Sequence, residues 1–449
     1  MPQISHIKYK DIIEAWRFDA DFFKPEYLAL EKRTESKDFI LFENLGLQVD
    51  ASAFYPSIEP FYNTWNIPFL RVANVDRSIK YDEAVTLPNS VLDEYKTLKL
   101  GKPWDLIITK WGSVARIWYV DRECALSRDL IFINTSKLKQ QETKFIYFYL
   151  LSDFANKLLI KSASLTSQPH LTIWLVKKLP LYFPEKYIRD KIASFFDLSV
   201  EKNYKSKQLY QEAEDLLLIE LWLKNHTISH TLTFSTTKKA VDEAWRYDAD
   251  YFQPKYDELI EKIENYKWGR NYVENLFKQN LSVAKTDSET CNYVEIWDIN
   301  ISNWEIIPNE IFVSDLPANW KRVLKKNDLL ISKVRPYRWA VSFIDFECEN
   351  LIWSWAFTIL QEKTDYKKEV LMVFLKTECI KDLLLRYNCG TSYPVIKDET
   401  ILKLKLPLID SQLQKEISDK IKESFKLRNE SKELLEQAKK MVEDEIEKA

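Results

Sequence analysis

The residues best suited to chemistry are basic, and they cluster in the second half of the chain. Seven of the residues between 321 and 338 are Lys or Arg, and one, Asp328, is acidic. The cluster ends in Arg-Pro-Tyr-Arg at 335–338. Guanidinium groups can bind phosphates or guanine edges. The segment is therefore a candidate nucleic-acid contact, with these candidate residues: Lys333, Arg335, Tyr337 and Arg338.

The first half contains a counterpart, Thr-Lys-Trp-Gly-Ser-Val-Ala-Arg at 109–116. Its candidate contacts are Lys110, Ser113 and Arg116. A second pair of words is Thr-Ser-Gln-Pro-His at 166–170 and Thr-Ser-Tyr-Pro at 391–394. Gln168 and His170 could donate hydrogen bonds to base edges, and Tyr393 stands at the matching place. No partner lies at metal-ligand spacing from His170, so a metal site is not expected there.

Motifs for catalysis are missing from the sequence. It has no Gly-x-x-x-x-Gly-Lys-Ser/Thr phosphate loop, so ATP-driven translocation is not expected. Neither an Asn-Pro-Pro-Tyr methyltransferase word nor a glycine-rich cofactor loop occurs, so no S-adenosylmethionine site is expected. Acidic runs such as 242–243 and 443–445 are typical of helix ends or solvated faces. We therefore expect a non-catalytic protein with no cofactor and no metal.

The elements that must position these residues occur twice. Glu-Ala-Trp-Arg-Phe-Asp-Ala-Asp-Phe-Phe-Lys-Pro-Glu-Tyr at 14–27 returns at 243–256 with ten of 14 positions identical. Each half also closes on Lys-Leu-Pro-Leu, at 178–181 and 405–408. A repeat of this length is a domain rather than a solenoid unit, since solenoid repeats span about 20–50 residues.

Periodicity divides each half in the same way. It predicts helices at 14–33, 143–161, 243–265 and 366–388, and short strands at 38–136 and 270–365. The predicted boundaries are 1–180 and 243–407 for two similar mixed α/β domains, 181–223 and 408–449 for long helices, and 224–242 for a connector. The predicted fold class is α+β, with the two domains separated by paired antiparallel helices in a pseudo-twofold arrangement.

The long helices carry matching seams with a 3.5-residue repeat, the spacing that keeps two helices in contact along their length. Both seams are apolar at their ends and polar in the middle, and two Ser and one Ala coincide. At about 1.5 Å per residue the seam is roughly 54 Å long, or about 16 base pairs of duplex. The alternative is two separate surface helices, each packed on its own domain. The seam positions are 192, 196, 199, 203, 206, 210, 213 and 217, and 417, 421, 424, 428, 431, 435, 438 and 442.

Composition narrows the class of protein further. The chain has 449 residues, 46% apolar content, 30% charged residues and a net charge of −3. No apolar run reaches the length of about 18 residues that a membrane span needs, and the first residues contain no apolar signal segment. We therefore expect a cytoplasmic protein that does not enter a membrane. The five scattered cysteines predict buried thiols rather than disulfides or zinc ligands.

Glycine and tryptophan are used in unusual amounts. The chain has five Gly and 15 Trp, whereas an average glycine content of about 7% would give roughly 31. Trp104 and Trp304 lie where a turn favours a residue that tolerates positive φ, and Trp222 lies where glycine usually ends a helix. Our hypothesis is that many Trp positions are glycine in relatives and in the protein that the cell makes. A stop codon that some genetic codes translate as Trp and others as Gly provides a route; a protein with genuine Trp enrichment is the alternative.

Together these sequence motifs resemble those of type I restriction-modification specificity subunits. The resemblance lies in the repeated Glu-Ala-x-Arg-Phe/Tyr-Asp-Ala-Asp word, the segments 293–300 and 327–336, and Lys-Leu-Pro-Leu before a long helix. It covers essentially the whole chain. The main departure is Trp where such words usually carry Gly, at Trp16, Trp104, Trp118, Trp222, Trp245, Trp297, Trp339 and Trp353.

The resemblance implies two target-recognition domains, each binding one half of a split, asymmetric site in double-stranded DNA. It also implies that the long helices dock methyltransferase subunits, two in number, and that a translocating restriction subunit joins through the complex. Three alternatives remain: the specificity subunit of a fused restriction-methylase, a cryptic nuclease, and a scaffold whose helices bind only protein.

Overall fold

The structure is a computed structural model that describes most of the chain. Described are residues 6–35, 38–54, 57–63, 67–75, 79–163, 170–224, 226, 230–282, 288–300, 304–317, 323–336, 340–389 and 394–449. The chain forms two compact units. Unit 1 comprises Met1–Val200 and Ser431–Ala449, and unit 2 comprises Glu201–Glu430.

Unit 1 is a mixed α/β unit. Its helices are α1 (Tyr9–Ala15), α2 (Pro25–Arg33), α3 (Ser90–Glu94), α4 (Gln140–Leu151), α5 (Asp153–Ala163) and α6 (Ile173–Lys177). Its strands are β1 (Phe39–Leu41), β2 (Gln48–Ala51), β3 (Ile67–Leu70), β4 (Val85–Leu87), β5 (Lys99–Gly101), β6 (Leu106–Thr109), β7 (Ile117–Tyr119), β8 (Cys124–Leu126), β9 (Leu130–Asn134) and β10 (Pro180–Tyr182).

These strands form three sheets. One is antiparallel, in the order β2-β9-β6-β7, and the second has the order β4-β3-β8-β5. In the second sheet β3 and β8 are parallel. Strands β1 and β10 pair as a two-stranded ribbon. Leu106, Ile107 and Ile108 of β6 are fully buried, which explains why this central strand is a continuous apolar run rather than an alternating one.

Unit 2 repeats this layout. Its helices are α8 (Lys238–Ala244), α9 (Lys255–Glu264), α10 (Val273–Leu276), α11 (Lys368–Lys376), α12 (Glu378–Leu385) and α13 (Asp398–Leu402). Its strands are β11 (Arg270–Tyr272), β12 (Phe277–Gln279), β13 (Thr290–Val294), β14 (Asn309–Phe312), β15 (Leu329–Ser332), β16 (Val341–Phe343), β17 (Leu351–Trp353), β18 (Phe357–Glu362) and β19 (Lys405–Pro407).

The sheet orders of unit 2 match those of unit 1 except for one strand. They are β12-β18-β15-β16, β14-β13-β17 and β11-β19, and β13 and β17 are parallel. Among the described residues the one difference is that β5 has no counterpart among the named strands. The predicted duplication is therefore confirmed at the level of sheet topology, and the mixed α/β character is confirmed for both halves.

The two long helices, α7 (Lys186–Glu220) and α14 (Ser411–Lys448), pair in each unit. In unit 1 the Ser199 and Ser431 hydroxyls lie 2.8 Å apart. In unit 2 the Ser206 hydroxyl donates to the Ser424 carbonyl at 2.7 Å. Within unit 2, Lys202 of α7 bonds Glu430 of α14, and Glu212, further along α7, bonds Lys420, which comes earlier in α14. The two helices are therefore antiparallel.

Small residues explain how the helices approach at these points. All four serines of the seam are buried, as are Ala213 and Ala438. A Ser or Ala leaves room for the facing backbone, and the buried hydroxyls find partners across the seam. The predicted seam is confirmed, and separately packed surface helices are excluded for the described residues of each unit.

The predicted helices at 14–33 and 243–265 are wrong in extent, because each is interrupted. Helix α1 ends before Trp16 and α8 ends before Trp245, and both tryptophans are left-handed with φ 52° and ψ 35°. The chain then turns through an Arg–Asp ion pair, Arg17–Asp19 in one half and its equivalent 229 positions later in the other. The next helix begins at or just after a proline, which favours a helix start but not an interior.

The predicted helices at 143–161 and 366–388 are also broken, each by one residue. Ser152 separates α4 from α5, and Thr377 separates α11 from α12, both with extended ψ. Their hydroxyls donate to the carbonyls of Tyr149 at 2.6 Å and Phe374 at 2.8 Å. A side chain that bonds its own backbone competes with the helix ladder, while the apolar pattern continues across the break.

Among the tryptophans that the structure describes, five have left-handed backbone, with φ between 52° and 78°: Trp16, Trp104, Trp222, Trp245 and Trp304. Trp118 and Trp353 lie in strands β7 and β17 instead, and Trp297 lies in a 3-10 turn. Trp339 is outside the described residues. The expectation of glycine-like backbone at tryptophan positions therefore holds at these five.

Candidate nucleic-acid interface

In unit 1 the candidate residues lie on the loop 110–116 that joins the antiparallel strands β6 and β7. Gly112 and Ala115 adopt positive φ, 69° and 61°, which turns the chain sharply at two points. The Thr109 hydroxyl donates to the Ser113 carbonyl and accepts the Arg116 N–H at 2.9 Å. The fold therefore holds Lys110, Ser113 and Arg116 on one short, internally bonded loop.

A second segment, residues 170–171, contacts this loop. The Leu171 N–H donates to the Lys110 carbonyl at 3.0 Å, and the rings of Trp111 and His170 lie 4.2 Å apart. His170 is thus adjacent to Lys110. Gln168 lies outside the described residues.

His170 has an unusual environment for a histidine near a DNA-binding loop. Burial, and then the positive charge of Lys110, lower the pKa of the imidazole. The Nε2 atom is buried and makes no hydrogen bond to a described residue. The side chain is therefore neutral near pH 7, and its Nε2 atom has no hydrogen-bond partner among the described residues.

Unit 2 builds the equivalent loop between β15 and β16. The Ile396 N–H donates to the Lys333 carbonyl at 2.8 Å, and the Arg335 N–H donates to the Pro394 carbonyl at 2.9 Å. Arg335 has a positive φ of 50°, and its guanidinium carbon lies 5.4 Å from the centre of the Trp297 ring. Tyr337, Arg338 and Tyr393 lie outside the described residues.

Lys333 and Lys110 occupy equivalent places but differ in their partners. The Lys333 ammonium pairs with Asp398 at 2.9 Å, and its side chain is 14% exposed. Thr358 donates to the other oxygen of the same carboxylate at 2.5 Å. Lys110 makes no side-chain hydrogen bond or ion pair with the described part of the chain. The Lys333 ammonium is therefore directed toward the protein interior, whereas the Lys110 ammonium is not.

Sequence reasoning missed residues from the neighbouring sheet. The Asp129 carbonyl accepts the Lys110 N–H at 2.9 Å, which brings the exposed Arg128 beside the loop. Arg128 helps to line a cavity of about 520 Å³ with Ser52, Ala53, Phe54, Lys110, Trp111 and Asp129. Arg71 joins the same region, because the Ser127 N–H donates to the carbonyl of Leu70 at 2.9 Å. Only the parallel pairing of β3 with β8 brings these residues together, and no local pattern indicates it.

The described residues contain neither a metal-binding cluster nor a membrane-spanning helix. No cluster of three or more His, Cys, Asp or Glu side chains in that part of the chain has the arrangement of a metal site. Within it, no helix is both long enough and apolar enough to cross a bilayer.

Part of the chain is similar to known proteins. The model of the type I restriction modification DNA specificity domain matches residues 51–215. The chain is 30% identical over 112 residues to the type I restriction enzyme HindI specificity subunit of Haemophilus influenzae. That match spans 24% of this chain and 24% of the relative.

Solved structures with low identity also match over most of their length. The S subunit of a type I restriction-modification system from M. genitalium is 14% identical, with a TM-score of 0.40, and the match covers 88% of this chain and 93% of that one. The HsdS subunit from Thermoanaerobacter tengcongensis is 12% identical, with a TM-score of 0.27, covering 91% and 96%. The family model matches the segment that contains loop 110–116 and His170, so residues 51–215 of this chain are similar to the type I restriction modification DNA specificity domain.

Proposed function

We propose that the chain is the sequence-specific DNA-binding subunit of a type I restriction-modification complex, with one arm of a split, asymmetric site recognised by each half. The observation that carries this proposal is the loop built twice, at 110–116 and at 333–336, on equivalent strands of equivalent sheets. In both copies a segment that follows a helix pair holds the loop by backbone hydrogen bonds.

The chemistry of the loops supports double-stranded DNA as the ligand. Lys110, Arg116 and Arg335 place cationic side chains beside backbone N–H groups that already donate to oxygens of the protein. Such groups bind phosphates and position the protein, and an arginine can also bind guanine through two hydrogen bonds. Ser113, Gln168, His170, Tyr337, Arg338 and Tyr393 complete the proposed contacts.

The division of labour in the complex is part of the proposal. Residues 1–180 and 243–407 are the recognition domains, and 181–223 and 408–449 are helices that dock two methyltransferase subunits. A restriction subunit joins through that assembly, and catalysis belongs to these partners. The exposed apolar and aromatic side chains along α7, such as Tyr187, Tyr204 and Ile219, support protein docking there.

The direct test is to map methylated sites in the source genome. We expect one split motif with two unequal arms separated by unspecified bases, and its loss when the gene is deleted. A continuous motif, or methylation that survives the deletion, would contradict the proposal. Incubation of the purified chain with DNA and Mg²⁺ should leave the DNA intact, and cleavage would show instead that the chain is itself a nuclease.

A further inference from the structure

Arg71 and Glu295 occupy equivalent positions in the two units. Each follows the strand that runs parallel to a neighbour, β3 in unit 1 and β13 in unit 2. The Arg71 N–H donates to the Asn74 side chain at 2.9 Å, and the Glu295 N–H donates to the Asp298 carboxylate at 2.7 Å. Each therefore opens the same side-chain-closed 3-10 turn, Val72–Asn74 or Ile296–Asp298.

Both turns adjoin the candidate loops. In unit 1 the Arg116 guanidinium donates to the Val75 carbonyl, at the end of the turn, at 3.3 Å. In unit 2 the Arg335 guanidinium lies over Trp297, inside the turn. Position 71 and position 295 are thus on the same side of their units as the loops at 110–116 and 333–336.

The Arg71 side chain has a donor without a partner. Its Nε is buried and makes no hydrogen bond to a described residue, and the nearest aromatic ring, Tyr62, is 5.9 Å from the guanidinium carbon. An unsatisfied buried donor costs free energy in the unbound protein. The side chain is partly exposed, and a ligand acceptor toward which it turns would satisfy the donor. Glu295, in contrast, is exposed and makes no ion pair with the described residues.

We propose that residues 71 and 295 are equivalent base-reading positions, Arg71 selecting guanine in one arm and Glu295 selecting cytosine in the other. Arginine forms two hydrogen bonds with O6 and N7 of guanine, and a glutamate accepts one from the N4 amino group of cytosine. One scaffold position would then carry opposite charges and opposite base preferences. This inference rests on the proposed function.

The test is selection from a randomised duplex library by the full-length chain, followed by sequencing. Arg71→Ala should lower guanine preference at one position of one arm by about 5- to 150-fold, and leave the other arm unchanged. Glu295→Gln should do the same for cytosine in the other arm. Arg71→Glu should replace guanine by cytosine at the affected position. Arg122→Ala and Glu289→Gln, at exposed positions outside both turns, are the matched controls.

The outcomes separate this inference from the proposed function. If the wild-type chain selects no motif, the proposed function fails. If it selects a split motif that Arg71→Glu and Arg71→Ala leave unchanged, only the base-reading assignment fails. A uniform loss of affinity with base preference intact would assign Arg71 to phosphate contact and would also overturn it. Arg71→Lys, which keeps the charge and loses the two-point geometry, decides the matter if the other variants unfold.

A different observation, the tryptophan backbone, carries a second inference. Helix α7 ends in two hydrogen bonds, from the Leu223 N–H to the Leu218 carbonyl at 2.7 Å and from the Trp222 N–H to the Ile219 carbonyl at 3.0 Å. The end of α1 has the same pattern, from Arg17 to Ile12 and from Trp16 to Ile13. This is the Schellman motif, in which the left-handed residue is usually glycine.

The tryptophan side chains at these helix ends are not stabilised by burial. Trp16, Trp222 and Trp245 are 83%, 84% and 86% exposed, so burial does not offset the clash between Cβ and the backbone in the left-handed region. Among the described residues five tryptophans share this conformation, and the whole chain has five glycines. We infer that the codon at the three exposed positions, 16, 222 and 245, is translated as glycine in the source cell, through a genetic code in which a common stop codon specifies glycine.

Mass spectrometry of the protein purified from its source tests this directly. Peptides that cover positions 16, 222 and 245 should have the mass expected for glycine at these positions, and an indole-containing peptide at position 222 would overturn the inference. As a second measurement, the combined Trp16→Gly, Trp222→Gly and Trp245→Gly variant of the recombinant chain should melt at a higher temperature. The matched Trp→Ala variant should gain less, because alanine retains Cβ; equal gains would contradict the backbone argument.

Discussion

The two loops differ in side chains while they share a backbone scaffold. Strands β6 and β7 in unit 1 match β15 and β16 in unit 2, and both loops accept a backbone hydrogen bond at the equivalent lysine carbonyl. Yet the Lys333 ammonium is paired with Asp398, and Val395 stands where unit 1 has His170. Arg116 of unit 1 corresponds to Ala340 of unit 2, since the carbonyl of each accepts the N–H of the last strand residue before the loop, Thr109 or Ser332.

The difference suggests how a duplicated domain acquires a second specificity. Backbone hydrogen bonds do not depend on side-chain identity, so the scaffold tolerates replacement at positions that face outward. Side chains at 71 and 295, or 170 and 395, can then diverge at little cost in stability. Two unequal half-sites are the expected result of the proposed function.

The largest effect is expected in unit 2, from the variant Arg335→Ala/Arg338→Ala. Loss of two arginine contacts of about 1–3 kcal/mol each should lower DNA affinity on the order of a hundredfold. Affinity is measured by fluorescence anisotropy on a duplex that contains the methylated motif. Arg270→Ala, in an arginine paired with Glu264 on β11, is the control. Equal losses in both variants, or loss of partner binding along with DNA binding, would contradict a specific DNA contact.

The next effect distinguishes the two equivalent lysines by stability. Lys333→Met should lower the free energy of unfolding by about 1–3 kcal/mol, because the Asp398 carboxylate loses its cation in a half-buried site. Lys110→Met should change it by less than about 0.5 kcal/mol, since no described residue depends on that ammonium. Urea unfolding of both variants provides the measurement. Equal destabilisation would show that the contrast between the loops is not energetic.

DNA binding should reverse the order of the same two variants. Lys110→Met is expected to reduce the slope of log affinity against log salt by about one, as the loss of one phosphate contact does. Lys333→Met should leave the slope unchanged under conditions where it is folded. Titrations at several salt concentrations measure both slopes. A smaller slope for Lys333→Met alone would indicate that Lys333 leaves Asp398 to bind DNA.

The smallest effect is a pH dependence confined to unit 1. The pKa of His170 is lowered in the folded protein by burial and by Lys110, so the unfolded chain binds the proton more readily. The contribution to stability is complete above the unfolded pKa of about 6.5 and is lost as pH falls toward the lower folded value. Melting temperatures from about pH 7.5 to about pH 5.5 should decline more for the wild type than for His170→Gln. A parallel decline in both would show that other groups dominate.

Much of the candidate site could be selected from sequence, because its residues lie within short words. Lys110, Ser113 and Arg116 share one loop, and His170 reaches it through a repeated word whose importance the second copy made visible. The partners of these residues could not be selected. Asp398 lies 65 positions from Lys333, and nothing local to either residue indicates their ion pair.

The ends of helices could not be predicted from sequence either. The apolar pattern of 143–161 continues smoothly across Ser152, so periodicity predicts one helix where there are two. A single hydroxyl bonded to its own backbone ends α4, and the apolar side chains of both helices lie in one core with the sheet β2-β9-β6-β7. Propensity and pattern describe each element alone, whereas the break depends on what the elements pack against.

Order and spacing along the chain are enough to predict that this protein is duplicated, that its long helices pair, and that tryptophan stands at glycine-like turns. The equivalence of Arg71 with Glu295, and the difference between Lys110 and Lys333, depend on contacts between residues far apart in the chain. Strand β3 pairs in parallel with β8, and β13 with β17, and the Lys333 ammonium is paired with the carboxylate of Asp398.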